Sequence, residues 1–148
     1  MHDMKELEKT LGYRFQDPSL LETALTHTSY ANEARRGTKH NERLEFLGDS
    51  VLSIVVADYL FTHNDLPEGE LTRMRASLVC ENALFGFAQK IRLGDYLRLG
   101  HGEELGGGRR RPSVVSDAFE AVIAALYLDG GIEQARRFIL PFITQALT

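Results

Sequence analysis

An all-α fold is predicted by three features of the chain. Apolar residues recur at helical spacing over long stretches. Turn-forming residues separate those stretches, and no segment alternates apolar and polar residues as a half-buried strand would. At 148 residues the chain has single-domain length and can bury a core without disulfides or metal staples.

Asp3 is placed to cap a first helix over 4–11, which Gly12 ends. Asp17 and Pro18 start a second, with proline at the tolerated first position, through Leu20, Leu21, Ala24 and Leu25. The polar, basic stretch 32–40 reads as a connection. A long helix follows from Asn41 to His63, with Leu44, Leu47, Val51, Leu52, Val55 and Tyr59 at helical spacing, and 64–67 breaks it. Two further helices are expected over 69–79 and 82–91. The glycine- and arginine-rich segment 100–112 reads as a mobile loop. Ser113 is placed to cap a very apolar helix through Leu128, stopped by Asp129-Gly130-Gly131. A last helix spans about 132–147, with Pro141 positioned to kink it. No repeat or internal domain boundary stands out.

Composition excludes several classes. Hydrophobic residues are 43% and charged residues 26%, as in soluble globular proteins. The apolar runs stop well short of the roughly 20 residues of a membrane span, and the polar N-terminus has no signal-peptide pattern. One cysteine, Cys80, permits no intrachain disulfide, so the cytoplasm is the expected compartment, with Cys80 as a small buried hydrophobe. The net charge of −4 argues against a nucleic-acid partner unless another feature supplies the affinity.

Chemistry enters with Glu42, Glu45 and Asp49. At about 100° per residue they fall in one narrow stripe of the long helix. Like charges in that arrangement repel, and a divalent cation would turn the liability into a site. Asp117 and Glu120 are the only charges of the apolar helix 114–128, and they share a face. Burying such carboxylates without cations, donors or protons is costly. Two bland readings compete: a solvated acidic stripe for the first set, and attraction to the positive end of the helix for the second. Oxygen ligands without added histidine or cysteine suit Mg²⁺ or Mn²⁺, which can promote phosphodiester hydrolysis. A di-iron centre would need Glu-x-x-His, and none of the five histidines has a glutamate three residues before it.

Asn41-Glu42-Arg43-Leu44-Glu45-Phe46-Leu47-Gly48-Asp49-Ser50 resembles the signature of the ribonuclease III endonuclease domain. In the same order, Leu25-Thr26-His27-Thr28-Ser29-Tyr30, the segment 68–76, Asp117-Ala118-Phe119-Glu120-Ala121 and Tyr127-Leu128-Asp129-Gly130-Gly131 resemble its other motifs. The resemblance covers essentially the whole chain. It implies an all-α, ribonuclease III endonuclease-like helical bundle that hydrolyses double-stranded RNA, of the rRNA- and mRNA-processing type. It implies products with 5′-phosphate and 3′-hydroxyl ends and short 3′ overhangs.

By the same resemblance Glu45, Asp117 and Glu120 would ligate Mg²⁺, with Mn²⁺ as substitute, and Asp49 and Glu120 would be catalytic. Glu42 and Glu68 would be accessory acids near the RNA. A homodimer is implied, with Phe46 inserting into the partner, against the plainer reading of Phe46 as core. Arg109, Arg110 and Arg111 are the favoured RNA contacts of this chain, ahead of Arg35, Arg36 and Lys39 in one loop and Arg73 and Arg75 on a helix. The family's common bacterial pattern adds a C-terminal double-stranded-RNA-binding domain, and its absence here reads as truncation to residues 1–148. That missing module would answer the charge objection, since phosphate and shape contacts carry RNA affinity. The alternatives are a non-catalytic RNA-binding scaffold of the same fold and a helical hydrolase of small phosphorylated substrates.

Overall fold

The most apolar helix of the sequence becomes the centre of the molecule. A computed structural model describes residues 3–148, so Met1 and His2 of the N-terminus lie outside the described residues. The helices are α1 (Met4–Leu11), α2 (Pro18–Ala24), α3 (Thr28–Glu33), α4 (Glu42–His63), α5 (Glu68–Val79), α6 (Glu81–Lys90), α7 (His101–Leu105), α8 (Pro112–Gly130) and α9 (Ile132–Ala146). Short 3-10 turns occupy Leu93–Tyr96 and Gly108–Arg110. Among the described residues there is no strand, only an isolated parallel bridge between Thr26 and Arg98.

Helix α8 buries Val114, Val115, Phe119, Ile123 and Leu126 together with four alanines, Ala118, Ala121, Ala124 and Ala125. Those small side chains let neighbours approach from several directions. Helices α4, α6, α9 and α2 pack around it, α4 most extensively. Beyond α4, Phe119 meets Phe87, Phe138 and Phe142 at ring-centroid distances of 6.1, 5.4 and 5.5 Å, which joins α6, α8 and α9.

The expected ends largely hold. The Asp3 carboxylate accepts from the Lys5 amide at 3.0 Å, and Gly12 closes α1 at φ 70°. Asp17 caps α2 through the Ser19 amide at 3.1 Å, with Pro18 in the first turn. At the far end of α8, Asp129 accepts from Tyr13 Oη at 2.6 Å and the Gln16 and Asp17 amides at 2.8 and 3.0 Å. This ties the α1–α2 connection to the central helix.

Four expectations need correction. First, α3 takes up Asn32 and Glu33 of the stretch read as a connection; at six residues it is too short to show a period. Second, α8 begins at Pro112, two residues early, with no side-chain cap from Ser113, because proline itself suits the first position. Third, Cys80 is exposed, since it sits in the extended corner between α5 and α6 (φ −71°, ψ 163°) rather than on a packed face.

The fourth correction concerns the glycine- and arginine-rich segment, which is ordered rather than loose. Arg109 Nη1 donates to the carbonyls of Gly94 and Leu97 at 3.0 and 2.8 Å, and its Nε donates to Glu104 at 2.9 Å. Arg111 pairs with Glu103 and donates to the Gly106 carbonyl at 2.9 Å. The glycines therefore allow tight turns around two tethered guanidinium groups. Gly94 itself is pressed so close that a Cβ there would lie 2.3 Å from the Arg109 carbonyl oxygen.

Candidate metal centre on the two central helices

Gly48 decides how the acidic residues meet. It lies buried in the middle of the α4 signature, and a Cβ built on it would fall 1.8 Å from the Glu120 carbonyl oxygen. Only a residue without a side chain allows that contact between backbones. Glu45 and Asp49, three residues before and one after it, are thereby brought beside Asp117 and Glu120 of α8.

Oxygens of Glu45, Asp117 and Glu120 come within 4.8 Å of one another, and all three residues are half-buried. Asp49 is exposed and shares a carboxyl–carboxyl hydrogen bond with Glu120. Among the described residues, no lysine or arginine forms an ion pair with any of the four.

The protons show what this arrangement costs. Burial pushes the Glu120 carboxyl up to about 9, helped by the Asp49 hydrogen bond and the charges of Asp49, Glu45 and Asp117. Burial and the adjacent Asp117 raise Glu45 to about 7. Asp117 is raised too, chiefly by burial. Metal-free, the cluster holds protons at neutral pH that a cation would displace.

A donor set of three carboxylates, gathered but unneutralised, fits a hard divalent cation. The helix-end reading does not hold for Glu120. It is the ninth residue of α8, and the helix dipole acts mainly on the first turn.

The other candidates are spread more widely. Glu42 is exposed in the first turn of α4 and acts on Glu45 through its charge. Glu68 opens α5, is exposed, and accepts from Thr72 Oγ1 at 2.6 Å, outside the three-residue cluster. Phe46 is 80% exposed, so it is no part of the core; Ile54 and Phe61, 59% and 74% exposed, share its face of α4. Arg109 and Arg111 are tethered internally, whereas Arg110 is exposed, as are Arg35, Arg36 and Lys39.

Two residues near the site were not singled out by sequence reasoning. Glu81, the first residue of α6, adds its charge to the field on Asp117, and His27 acts on Asp117 with the opposite sign when its ring is protonated. Glu81 carries no sequence signal, since an acid in a first helical turn is ordinary. His27 stood inside a motif without a role.

A ribonuclease-III-like family model matches residues 17–147. The chain belongs to that family. It is 52% identical over 139 residues to Ribonuclease 3 of Clostridium tetani, covering 93% of this chain and 59% of the relative. With Ribonuclease 3 of Oceanobacillus iheyensis it shares 49% identity over 148 residues, covering 99% and 65%. The chain thus spans about 60% of the length of these curated relatives.

The solved nuclease domain of Ribonuclease III from Campylobacter jejuni, described with a flexible region involved in dimer formation, superposes with a TM-score of 0.88 at 42% identity over 97% of each chain. Dicer from Pichia stipitis matches with a TM-score of 0.66 at 28% identity, covering 90% of this chain and 57% of that one. The family's fold is therefore the all-α fold expected. No helix among the described residues is long and apolar enough to cross a membrane.

Proposed function

We propose that residues 1–148 form the endonuclease domain of a Mg²⁺-dependent ribonuclease that cuts double-stranded RNA as a homodimer in the cytoplasm. The observation that carries this reading is the carboxylate cluster of Glu45, Asp117 and Glu120, met by no lysine or arginine among the described residues, in a chain of this family. Mn²⁺ fits the same donors.

Glu45, Asp117 and Glu120 hold the ion. When bound, it supplies positive charge against the negative charge that gathers on the phosphate oxygens. Asp49, exposed and next to Glu120, orients a water and takes up its proton as the water oxygen bonds to phosphorus. The bond from phosphorus to the 3′ oxygen breaks, and that oxygen takes a proton from solvent. The products carry 5′-phosphate and 3′-hydroxyl ends. Glu42 and Glu68 act as accessory acids near the RNA.

Phe46 is the proposed anchor into a second subunit. Its exposure beside Ile54 and Phe61 gives one apolar stripe on α4, which is costly to leave in water. A dimer presents two clusters to one duplex, one per strand, and staggered cuts by the two leave short 3′ overhangs. The basic residues that contact RNA are better sought at Arg35, Arg36, Lys39 and Arg110 than at Arg109 or Arg111, whose guanidinium groups are committed internally.

The deciding experiment incubates a labelled RNA duplex with the protein, with and without Mg²⁺. A nucleotide monophosphate serves as the small-substrate control. Cleavage of the duplex only with the ion, leaving 5′-phosphate termini, is expected. Mg²⁺-bound protein that leaves duplex RNA intact would refute the reading. Sedimentation of wild type and Phe46→Ala tests the pairing: a dimer that dissociates in the variant is expected.

A further inference from the structure

This inference rests on the RNA-cleavage reading above and concerns a residue that it leaves unused. The segment carrying His27 is pinned against the start of α4. The buried Asn41 donates from its amide to the Thr26 carbonyl at 2.9 Å and from Nδ2 to the Ala24 carbonyl at 3.1 Å. On the other side the His27 amide donates to the Arg98 carbonyl at 3.0 Å. His27 is thus fixed beside the helix turn that carries Glu42 and Glu45.

The ring has a defined hydrogen pattern. It caps α3: the Ser29 amide donates to Nδ1 at 3.1 Å, and Ser29 Oγ lies 2.8 Å from the same nitrogen. Ser29 Oγ is itself anchored, accepting from the Gly100 amide at 2.8 Å. An amide N–H can only donate, so Nδ1 carries the lone pair and the neutral ring's hydrogen is on Nε2. No described group accepts from Nε2, and the residue is partly exposed.

The ring therefore offers the site a donor and not a metal ligand, which would need a lone pair. Burial favours its neutral form. The charges acting on it are Asp117, Arg111, Glu42 and His40, in that order of strength. Arg111, the other nearby donor, is occupied by Glu103 and the Gly106 carbonyl.

We propose that His27 contacts the RNA, donating from Nε2 to a phosphate oxygen of the strand held at Glu45, Asp117 and Glu120. The negative cluster leaves few places where a phosphate oxygen finds a donor, and this one is preset by its cap. It is rigid, because both its backbone and its Nδ1 are held.

Two substitutions separate contact from capping. His27→Asn puts an oxygen near the position of Nδ1, so it keeps the cap and loses the distal donor. His27→Gln puts an amide N–H near the position of Nε2 and loses the cap. The expected result is His27→Asn with a wild-type melting temperature and kcat/KM on duplex RNA lowered about tenfold to a hundredfold, the range of one hydrogen bond to a charged group. His27→Gln should melt earlier yet cleave within about threefold of wild type, which a purely structural role would reverse. Wild-type cleavage by His27→Asn, or equal losses in both variants, would overturn the proposal.

A second readout needs no turnover. The Nε2–H signal of His27 is followed by nitrogen-15 NMR while a duplex cleavage product is added in Mg²⁺. A shift of that signal is expected, and an unmoved signal at saturating RNA overturns the contact. Wild type that binds duplex RNA without cutting it would defeat the hydrolase reading alone, and the NMR titration would still decide the role of His27.

Discussion

Two clusters of like charge lie in this molecule, and they are handled in opposite ways. The arginines at 109 and 111 are each met by a glutamate and by backbone carbonyls. The carboxylates of Glu45, Asp117 and Glu120 are met mainly by one another and by Asp49. The arginine cluster spends its charge on holding a glycine-rich segment in shape. The carboxylate cluster keeps its charge available and carries protons as the consequence. Uncompensated charge gathered by the two best-packed helices is what marks a site here; charge density alone does not.

The largest test of the contrast is Glu120→Gln. The amide keeps the shape and resembles the protonated form that Glu120 adopts near neutral pH when its carboxyl titrates at about 9. Metal-free stability should be unchanged or slightly raised. Mg²⁺-dependent cleavage should fall on the order of 10³-fold, since the charge needed to hold the ion is gone. Calorimetry without metal and single-turnover cleavage with it give the two numbers. Strong cleavage by the variant would sink the assignment.

Arg109→Ala should show the reverse profile. It removes donors to the carbonyls of Gly94 and Leu97 and strands Glu104, so it should cost about 2 kcal/mol in denaturant unfolding. Per folded molecule, cleavage should stay near wild type. A variant with wild-type stability and weak RNA binding would return Arg109 to the interface.

The helices were legible because their apolar faces are long and their ends carry strong signals, Asp3, Asp17 and Gly12 among them. The carboxylates were legible because an acid inside an apolar helix has few bland explanations. What the sequence could not display was compensation. Arg109 and Glu104 are five residues apart on opposite sides of a turn, and no period links them. Gly48 was visible only as a letter of a motif; its reason, a backbone contact with Glu120, exists only once α4 crosses α8. Cys80 is exposed although its neighbours are apolar, because that apolar run crosses a helix corner and does not lie on one packed face. Phe46 shows the converse, an apolar residue at helical spacing that faces outward.

The two clusters should also answer pH with opposite signs. Glu45 and Glu120 titrate at about 7 and about 9 when folded, above an unfolded value of about 4.5. Their protonated forms favour folding, so that contribution is full below the unfolded value and is lost as pH rises through 7 and 9. Glu104 is lowered by its hydrogen bond to Arg109, so its contribution is present above the unfolded value and is lost as pH falls. In metal-free buffer the melting temperature should drop by roughly 5 °C between pH 6 and 9, since both acids of the centre are partly solvated and screened. Saturating Mg²⁺ should remove that drop by replacing the protons. A metal-free melting temperature that holds level across this range would mean the carboxylates are neutralised by some other group.

The smallest effect belongs to Arg110→Ala, and it isolates what is left of the arginine cluster for RNA. Arg110 lies between two tethered neighbours, exposed and without a carboxylate partner among the described residues. Losing it should leave melting unchanged, unlike Arg109→Ala. One phosphate contact contributes a slope of about −0.9 to the dependence of log affinity on log salt for duplex DNA, and a similar figure is the guide for duplex RNA. The variant should therefore bind RNA a few-fold more weakly at low salt, with the slope reduced by about 1. An unchanged slope would assign the whole Arg109–Arg111 run to structure. Phosphate contact by this chain would then fall to Arg35, Arg36 and Lys39 before α4, and the same salt titration on Arg36→Ala would be the next measurement.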